Sequence, residues 1–370
     1  MLKFSLRLAL IMGTLMVIAV SATRLLHVIY PTIPRLAWVV HPPNNAGSVD
    51  LYVWDTGVVT KLSSDYAGNH IRIDHSPLWS ADGRLAWLSS QDTETSLHVW
   101  NGVSVIDLGT VYDLNVPPSW SADGRLAWTA WGNNSPDVMV WDGRETTNIT
   151  QSRMVSEVSP VWLSDGRLAW TNLQQSGVTL EIWDGAENHT VAEMQYVYGR
   201  FMPSADGRLA WVVNNAGEFD IVLWDGADVI TLTEDSGLDN SPAWSADGRL
   251  AWVSVIGGNA EIVVWDGENR INASQNLVMD DTPVWSADGR LAWVSGTNLG
   301  REVVVWDGVH TLDISQSRDY ESSPTWAANG WLAWSAEYGF TSRLMIWDGR
   351  RTFEIAKSEN LTFGQMIWSP

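Results

Sequence analysis

Carboxylates at a fixed interval are the residues whose type and spacing first point to chemistry in this chain. Five residues before a recurring tryptophan position, five of eight repeats carry an acid, namely Asp74, Glu157, Asp239, Asp280 and Glu321, while the others carry Asn115, Tyr198 and Phe363. Packed carboxylates attract a cation or a basic peptide and raise one another's pKa. Paired carboxylates also perform glycoside hydrolysis, and an acid at the start of a strand can simply accept backbone hydrogen bonds. We take these five acids as a candidate binding site, an acidic channel mouth.

One repeat departs from the others in the segment EMQYVYGRFMP. Pro203 stands there in the place of the recurring tryptophan, and the segment contains Tyr196, Tyr198, Arg200 and Phe201. Aromatic rings and a guanidinium are the side chains that dominate interface hot spots. These four residues are therefore a second candidate binding site, with loss of the repeat pattern by drift as the alternative.

Other catalytic constellations are missing from the sequence. The chain has no cysteine, no G-x-S-x-G or H-E-x-x-H motif, and seven histidines without ligand spacing. The repeated Asp of S-A-D-G lacks the alternating oxygen ligands of a calcium loop and is typical of a turn. We therefore expect no catalytic residue, no metal and no cofactor.

The elements that must position these residues come from an internal repeat. The motifs S-P-x-W, R-L-A-W and V-W-D recur about every 41 residues and contain 23 of the 25 tryptophans. A period of this length indicates a solenoid, a propeller or an array.

Each repeat is consistent with four short strands, which we name a (S-P-x-W), b (R-L-A-W), c (V-W-D) and d. Asp-Gly pairs stand where tight turns are needed between a and b and between c and d. Such repeats predict an all-β, eight-bladed β-propeller of four-stranded antiparallel blades over residues 31–370. The chain begins at strand b and ends at strand a, so one blade should combine both termini. Seven blades is the alternative, because the first interval is irregular.

The repeated tryptophans are predicted to form the core. A buried tryptophan removes about 200 Å² from water, a gross contribution of roughly 5 kcal/mol before chain entropy. In R-L-A-W the Leu and Trp share one face of the strand, and Ala presents a small surface to the other. A lectin-like propeller, the alternative, would need exposed rings.

The motif S-P-x-W-S-A-D-G-R-L-A-W resembles the PD40 (WD40-like) repeat of TolB-like propellers, P-x-W-S-P-D-G followed by an apolar strand, from about residue 34 to 370. This chain differs in having Ala at the second Pro and Asn329-Gly330-Trp331 in its last repeat. The resemblance implies a periplasmic partner-binding module or the gating propeller of a peptidase.

The N-terminus predicts export. Lys3 and Arg7 precede an apolar run that ends before Ser21 and Ala22, so residues 1–30 are expected to form an apolar helix, either a signal peptide or a membrane anchor at residues 8–22. The propeller should then be periplasmic or extracellular.

Charge and loop variation indicate the kind of partner. A net charge of -21 repels nucleic acid and anionic lipid. The b-c and d-a loops vary between repeats while the a-b and c-d turns stay constant, and binding usually lies in diversified loops. We therefore predict a monomeric, non-enzymatic scaffold for a protein or peptide, with a basic one favoured, that meets the membrane only through its N-terminal segment. A lectin and a hydrolase or lyase with channel carboxylates remain alternatives.

Overall fold

The computed structural model describes residues 34–41, 49–55, 58–62, 72–73, 77–91, 94–113, 116–132, 134–175, 177–194, 197–215, 217–234, 237–297, 300–317, 319–359 and 361–370. The predicted N-terminal helix lies outside these residues, as do Asp74 and Tyr196. Within them, no helix is long and apolar enough to cross a membrane.

The described chain is built from β-strands. The first seventeen are β1 (Leu36–His41), β2 (Asp50–Asp55), β3 (Val58–Lys61), β4 (Arg72–Ile73), β5 (Leu78–Trp79), β6 (Leu85–Gln91), β7 (Glu94–Trp100), β8 (Val105–Thr110), β9 (Ser119–Trp120), β10 (Leu126–Trp131), β11 (Pro136–Trp141), β12 (Thr146–Asn148), β13 (Ser156–Trp162), β14 (Leu168–Gln174), β15 (Gly177–Trp183), β16 (Asn188–Met194) and β17 (Val197–Pro203). The others are β18 (Leu209–Asn215), β19 (Glu218–Trp224), β20 (Val229–Thr231), β21 (Asp239–Trp244), β22 (Leu250–Ile256), β23 (Asn259–Trp265), β24 (Arg270–Asn272), β25 (Met279–Trp285), β26 (Leu291–Thr297), β27 (Gly300–Trp306), β28 (Thr311–Asp313), β29 (Tyr320–Trp326), β30 (Leu332–Tyr338), β31 (Thr341–Trp347), β32 (Thr352–Glu359) and β33 (Thr362–Trp368).

These strands form antiparallel units in which consecutive strands pair, except that β4 and β5 both pair with β6 and that β33 pairs with β1. We number the units by sequence: unit 1 is β3-β2-β1-β33, unit 2 is β4 to β8, and units 3 to 8 are β9–β12, β13–β16, β17–β20, β21–β24, β25–β28 and β29–β32. Units 7 and 8 share one hydrogen-bonded sheet through a single parallel pair, Arg301 with Tyr320. The predicted all-β class and the four-stranded antiparallel units are confirmed.

Unit 1 joins the two ends of the described chain. Strand β1 pairs antiparallel with β33, with Leu36 opposite Trp368, and Ser369 N donates to the Arg35 carbonyl oxygen at 2.7 Å. The pairing is the one expected from a chain that begins at strand b and ends at strand a. Its ladder of hydrogen bonds ties the first unit to the last residues.

Consecutive units pack face to face, and the alternation of R-L-A-W decides which side chain faces which neighbour. Leu291 and Trp293 of unit 7 pack on Val253 and Ile262 of unit 6, whereas Ala292 faces unit 8 and contacts Leu332 and its cluster. The strand-b tryptophans are almost fully buried. They form the core, as predicted, and are not exposed platforms for sugar stacking.

The strands a line up beside one another. Each of β5, β9, β13, β17, β21, β25, β29 and β33 contacts the strand a of the next unit, and β33 contacts β5. Tryptophans reinforce this order, because Trp285 Nε1 donates to the Ala243 carbonyl oxygen of the preceding unit at 3.0 Å. The same bond joins Trp79 to Ile367, and equivalent bonds start from Trp120, Trp244, Trp326 and Trp368.

Candidate functional site

The acids of the predicted channel mouth are buried rather than exposed. Glu157, Asp239, Asp280 and Glu321 lie at the starts of strands a, each nearly inaccessible to solvent, and Asp74 lies outside the described residues. Trp252 Nε1 donates to Asp239 Oδ1 at 3.1 Å, and Trp293 Nε1 donates to Asp280 Oδ1 at 2.9 Å. Asp239 and Asp280 thus anchor the core tryptophan of the adjacent strand b through its side chain, whereas Glu321 accepts a backbone hydrogen bond, the role that was the alternative to binding. A ligand role for them stays a prediction.

A second carboxylate from the preceding unit accompanies these acids. Ser315 Oγ donates to Glu302 Oε2 of strand c in unit 7 at 2.6 Å, while Val303 N of the same strand donates to Glu321 Oε2 in unit 8 at 2.9 Å. Burial, together with the charge of Glu302, raises the pKa of Glu321 to about 7. Two carboxylates thus meet at the junction between units 7 and 8.

The same arrangement recurs between units 3 and 4. Burial raises the pKa of Glu157 to about 7, and the nearby charge of Asp137 adds to the increase. Ser152 Oγ donates to Glu157 Oε2 at 3.0 Å, and Asn148 Nδ2 donates to Asp137 Oδ2 at 2.6 Å. Burial also raises the pKa of Asp280. The neighbouring carboxylates raise the pKa values of Glu157 and Glu321, which is the expected direction. Burial, however, contributes more to the increase than the charge of the neighbour.

The residues of the irregular repeat separate into three environments. Tyr198 is 58% exposed and its ring packs edge-on against Phe219 at 4.9 Å. Arg200 is exposed and lines a cavity between the strands a. Phe201 is only 1% exposed and packs edge-on against the core Trp211 at 5.5 Å. Phe201 is therefore not a surface contact in this structure, and a binding role for the irregular repeat stays a prediction.

The constant turns are held by a repeated polar network within the protein. In unit 7, Arg290 N donates to Ser286 Oγ at 2.8 Å, and Ser286 Oγ donates to Asp288 Oδ1 at 2.5 Å. Hydrogen bonds from Arg290, with a further one from Ser286, lower the pKa of Asp288. The Asp of S-A-D-G is thus engaged by its own turn, and no cluster of metal-ligating side chains occurs in the described part of the chain.

The opposite edge of the units carries a set of exposed apolar side chains that sequence reasoning missed. They lie where strand b ends, strand a begins, or a loop links b to c or d to a: Tyr112, Trp131, Met154, Leu173, Tyr198, Leu238, Ile256, Leu277, Met279, Tyr320, Tyr338 and Phe340. Leu277 is 98% exposed, Met154 90% and Phe340 86%. We call this set the apolar loop face. A count of large apolar residues within the variable loops is the signal that could have found it.

Stacking orders part of the apolar loop face. The Tyr112 ring, in a d-a loop, meets the Trp131 ring, at the end of a strand b, edge-on at 4.9 Å. The other exposed large apolar side chains lie at c-d turns or along strands d, and they are Val103, Val105, Val229, Ile230, Ile271, Val309, Leu312 and Phe353. All of these are aliphatic except Phe353, whereas the apolar loop face also carries Trp and Tyr rings, so the variable edge is the one suited to apolar contact.

Solved structures with a similar fold include the β-propeller domain of the Trilobed protease from Pyrococcus furiosus, which is 14% identical with a TM-score of 0.53 over 78% of this chain and 98% of that one. Dipeptidyl peptidase 4 from Porphyromonas gingivalis is 13% identical with a TM-score of 0.62 over 87% of this chain and 59% of that one. A puromycin-hydrolyzing peptidase from Mycobacterium tuberculosis is 14% identical with a TM-score of 0.56 over 79% and 53%.

At these identities the likeness concerns the fold alone, and this chain spans little more than half the length of the two peptidases. No curated protein matches the sequence significantly. The sequence model of the TolB beta propeller domain (PD40) matches residues 129–370, more than half of the chain. Together with the antiparallel units described above, this match shows that the chain belongs to the TolB β-propeller (PD40) family.

Proposed function

We propose that this chain is an exported eight-bladed propeller that acts as a non-enzymatic scaffold for a protein or peptide. Eight blades are supported by the eight antiparallel units, seven with four strands and unit 2 with five, and by the contacts that run from each strand a to the next and from β33 back to β5. Closure by both termini is supported by the pairing of β1 with β33. Export is supported by the sequence of residues 1–30 and by the resemblance to periplasmic TolB-like propellers.

The apolar loop face is the observation that carries the binding proposal. Apolar side chains that cluster at one edge of a rigid scaffold mark an interaction surface, because their contact with water is unfavourable. Tyr and Trp are among them, and these side chains dominate binding hot spots. The partner surface is therefore apolar at its centre, with basic residues at its rim, since a net charge of -21 favours a basic partner.

The buried carboxylates support the non-enzymatic part of the proposal. Asp239 and Asp280 accept hydrogen bonds from core tryptophans, and Glu321 accepts a backbone hydrogen bond from the neighbouring unit. Groups engaged in this way hold the fold together rather than face a substrate. Their predicted role as ligands is tested directly by titrating calcium and a basic peptide into the wild type and into an Asp239→Asn, Asp280→Asn variant.

The binding proposal is tested by crosslinking capture from the envelope fraction of the native cell, with the full-length chain as bait. The loop-face variant is Trp131→Ser, Leu277→Ser, Phe340→Ser, and the matched control is Val103→Ser, Val309→Ser at the opposite edge. We expect a partner whose crosslinks map to the loop face, with recovery at least tenfold lower for the loop-face variant and unchanged for the control. Equal recovery with both variants, or crosslinks confined to the constant turns, would contradict the proposal.

A further inference from the structure

The strands a of units 1 to 5 surround a cavity of about 270 Å³. Its walls are mainly apolar, with Trp79, Pro118, Pro160, Met202 and Ile367 among the lining residues. Prolines have no backbone N–H, so these wall positions offer few donors to a ligand. The cavity lies between strands a, and the inference drawn from it does not depend on the proposed function.

Arg200 brings the only charge to this lining among the described residues. It stands three residues before the tryptophan position of strand a, where other units have Ser159, Ser241, Thr282 and Ser323. Unit 5 thus has a guanidinium at a position where these other units have a small, uncharged hydroxyl side chain. The irregular repeat that lost its tryptophan at Pro203 is the one that gained this cation.

Among the described residues, no ion pair or hydrogen bond engages the Arg200 guanidinium, and burial alone perturbs its pKa, which it lowers. By contrast, the arginines of the R-L-A-W motifs each stack on a tryptophan, as Arg208 of the same unit does on Trp244 at 4.4 Å. A guanidinium withdrawn from bulk water without an anion is unfavourable. A ligand that supplies the anion would relieve this cost.

The surroundings of Arg200 combine solvent access with desolvation. The side chain is exposed by surface area, yet crowding by protein atoms lowers the pKa of its guanidinium from the ordinary value. Both observations hold when a side chain projects into a partly open, water-accessible recess rather than out from the surface. This placement agrees with its position in the cavity wall.

We propose that the cavity binds the carboxylate of a small acid with an apolar tail, held by Arg200 in a bidentate ion pair. The planar fork of a guanidinium matches a carboxylate, and the hydroxyl of Ser159, at the equivalent position of the neighbouring strand, lines the same cavity. A phosphate dianion would need more donors than this lining offers. The apolar walls accommodate the tail, and the volume is just below the roughly 300–1,000 Å³ of sites for drug-sized ligands.

A free acid and a peptide C-terminus share this chemistry, and titration calorimetry with the full-length chain distinguishes them. The ligands are sodium hexanoate, hexanamide, inorganic phosphate, and an Ala-Val-Leu tripeptide as acid and as amide. We expect hexanoate or the tripeptide acid to bind at least tenfold more tightly than its amide. Tighter binding of the tripeptide acid than of hexanoate would identify a C-terminus as the source.

The variants are Arg200→Gln, Arg200→Lys and, as a matched control on an exposed loop, Arg153→Gln. Arg200→Gln should weaken carboxylate binding at least tenfold, Arg200→Lys should weaken it less, and Arg153→Gln should leave it unchanged. The melting temperature of Arg200→Gln should be no lower than that of the wild type, because an unpaired charge is removed. If Arg200→Gln does not fold, the carboxylate affinities of Arg200→Lys and Arg153→Gln are compared instead, and weaker binding by Arg200→Lys supports the ion pair.

The proposal would be overturned if the wild type bound no carboxylate. It would also be overturned if the Arg200 variants bound carboxylates as tightly as the wild type. Phosphate binding that is tighter than hexanoate binding and depends on Arg200 would overturn the assignment to a carboxylate.

Discussion

The guanidinium of Arg290 in unit 7 stacks over the Trp326 ring in unit 8, with its central carbon 4.6 Å from the ring centroid. Arg290 Nη2 also donates to the Gly330 carbonyl oxygen of unit 8. Equivalent contacts join Arg84 to Trp120 and Arg249 to Trp285. The R-L-A-W arginine is therefore an inter-unit contact, and the repeated motif describes a structural joint rather than a repeated chemical site.

Replacing Arg249 by Ala should lower the free energy of unfolding by about 1–2 kcal/mol. The change removes a partly buried cation–π contact with Trp285 and a 3.0 Å hydrogen bond to the Gly289 carbonyl oxygen. Arg249→Lys should lose less, since an ammonium keeps the cation but not the planar fork. Urea unfolding followed by tryptophan fluorescence measures both variants, and the exposed Arg350→Ala is the control. A decrease in unfolding free energy no greater than that of Arg350→Ala would contradict the role of Arg249 as a stabilising contact between units.

A second prediction compares two tryptophans at the same position of strand a. Trp285 Nε1 donates to the Ala243 carbonyl oxygen, whereas Trp162 Nε1 is buried without a hydrogen-bond partner among the described residues. Both rings lie under an arginine, Arg249 and Arg125 respectively. The two sites therefore share the arginine contact and differ in the hydrogen bond, and Trp162 is also the more deeply buried ring.

Trp285→Phe should accordingly destabilise the protein by about 1 kcal/mol more than Trp162→Phe, because the second change also removes an unsatisfied donor. Chemical denaturation of the two single variants and of the double variant gives the comparison and checks that the effects add. Equal losses at both sites would show that the Trp285 bond contributes nothing measurable.

The sequence predicted the strand order, because short turns join consecutive antiparallel strands. It also predicted the orientation of R-L-A-W, because side chains alternate between the two faces of a strand. Leu291 and Trp293 lie on one face of their strand and Ala292 on the other, and this division does not depend on which units pack against the two faces. Sequence could not tell that Asp280 is buried, since a recurring position at the start of a strand looks the same whether its side chain faces a channel or a neighbouring unit. Phe201 illustrates the same limit, because a bulge between Tyr198 and Met202 changes which residues point inward.

The turn glycines provide a third prediction. Gly289 has φ +83°, and a Cβ there would lie 2.8 Å from Arg249 Nη2 of the preceding unit. Gly308 has φ +103° with open space around the corresponding Cβ position. Both Ala variants pay about 1 kcal/mol or more for a left-handed backbone, but only Gly289→Ala must also displace Arg249.

Gly289→Ala should therefore lower stability by about 0.5–1 kcal/mol more than Gly308→Ala, as measured by denaturant midpoints. In an Arg249→Ala background the difference should disappear, because the displaced side chain is already gone. If the stability difference between the two Ala variants persists in that background, it arises from the backbone of the turn and not from the contact with Arg249.

The carboxyl of Glu321 makes stability depend on pH in a direction opposite to that of an acid whose pKa is lowered in the folded protein. Its pKa in the folded protein is raised from near 4.5 to about 7, so between these values the folded state binds a proton that the unfolded state has lost. Stability contributed by this proton is fully present below about pH 4.5, falls as pH increases, and is lost above about pH 7. The shift corresponds to a change on the order of 3 kcal/mol, and Glu157 acts in the same direction.

Glu321→Gln should flatten this dependence, because an amide keeps the shape of the protonated acid and cannot ionise between Glu302 and the Val303 amide. Unfolding free energies at pH 5.0, 6.0, 7.0 and 8.0 should show the wild type losing stability with increasing pH more steeply than Glu321→Gln, with the exposed Glu187→Gln following the wild type. The variant should be relatively most stable at pH 8, where the wild type must keep a charge buried beside Glu302. Parallel curves for wild type and Glu321→Gln would show that the carboxyl is already ionised at pH 5, and that the junction between units 7 and 8 tolerates two charges.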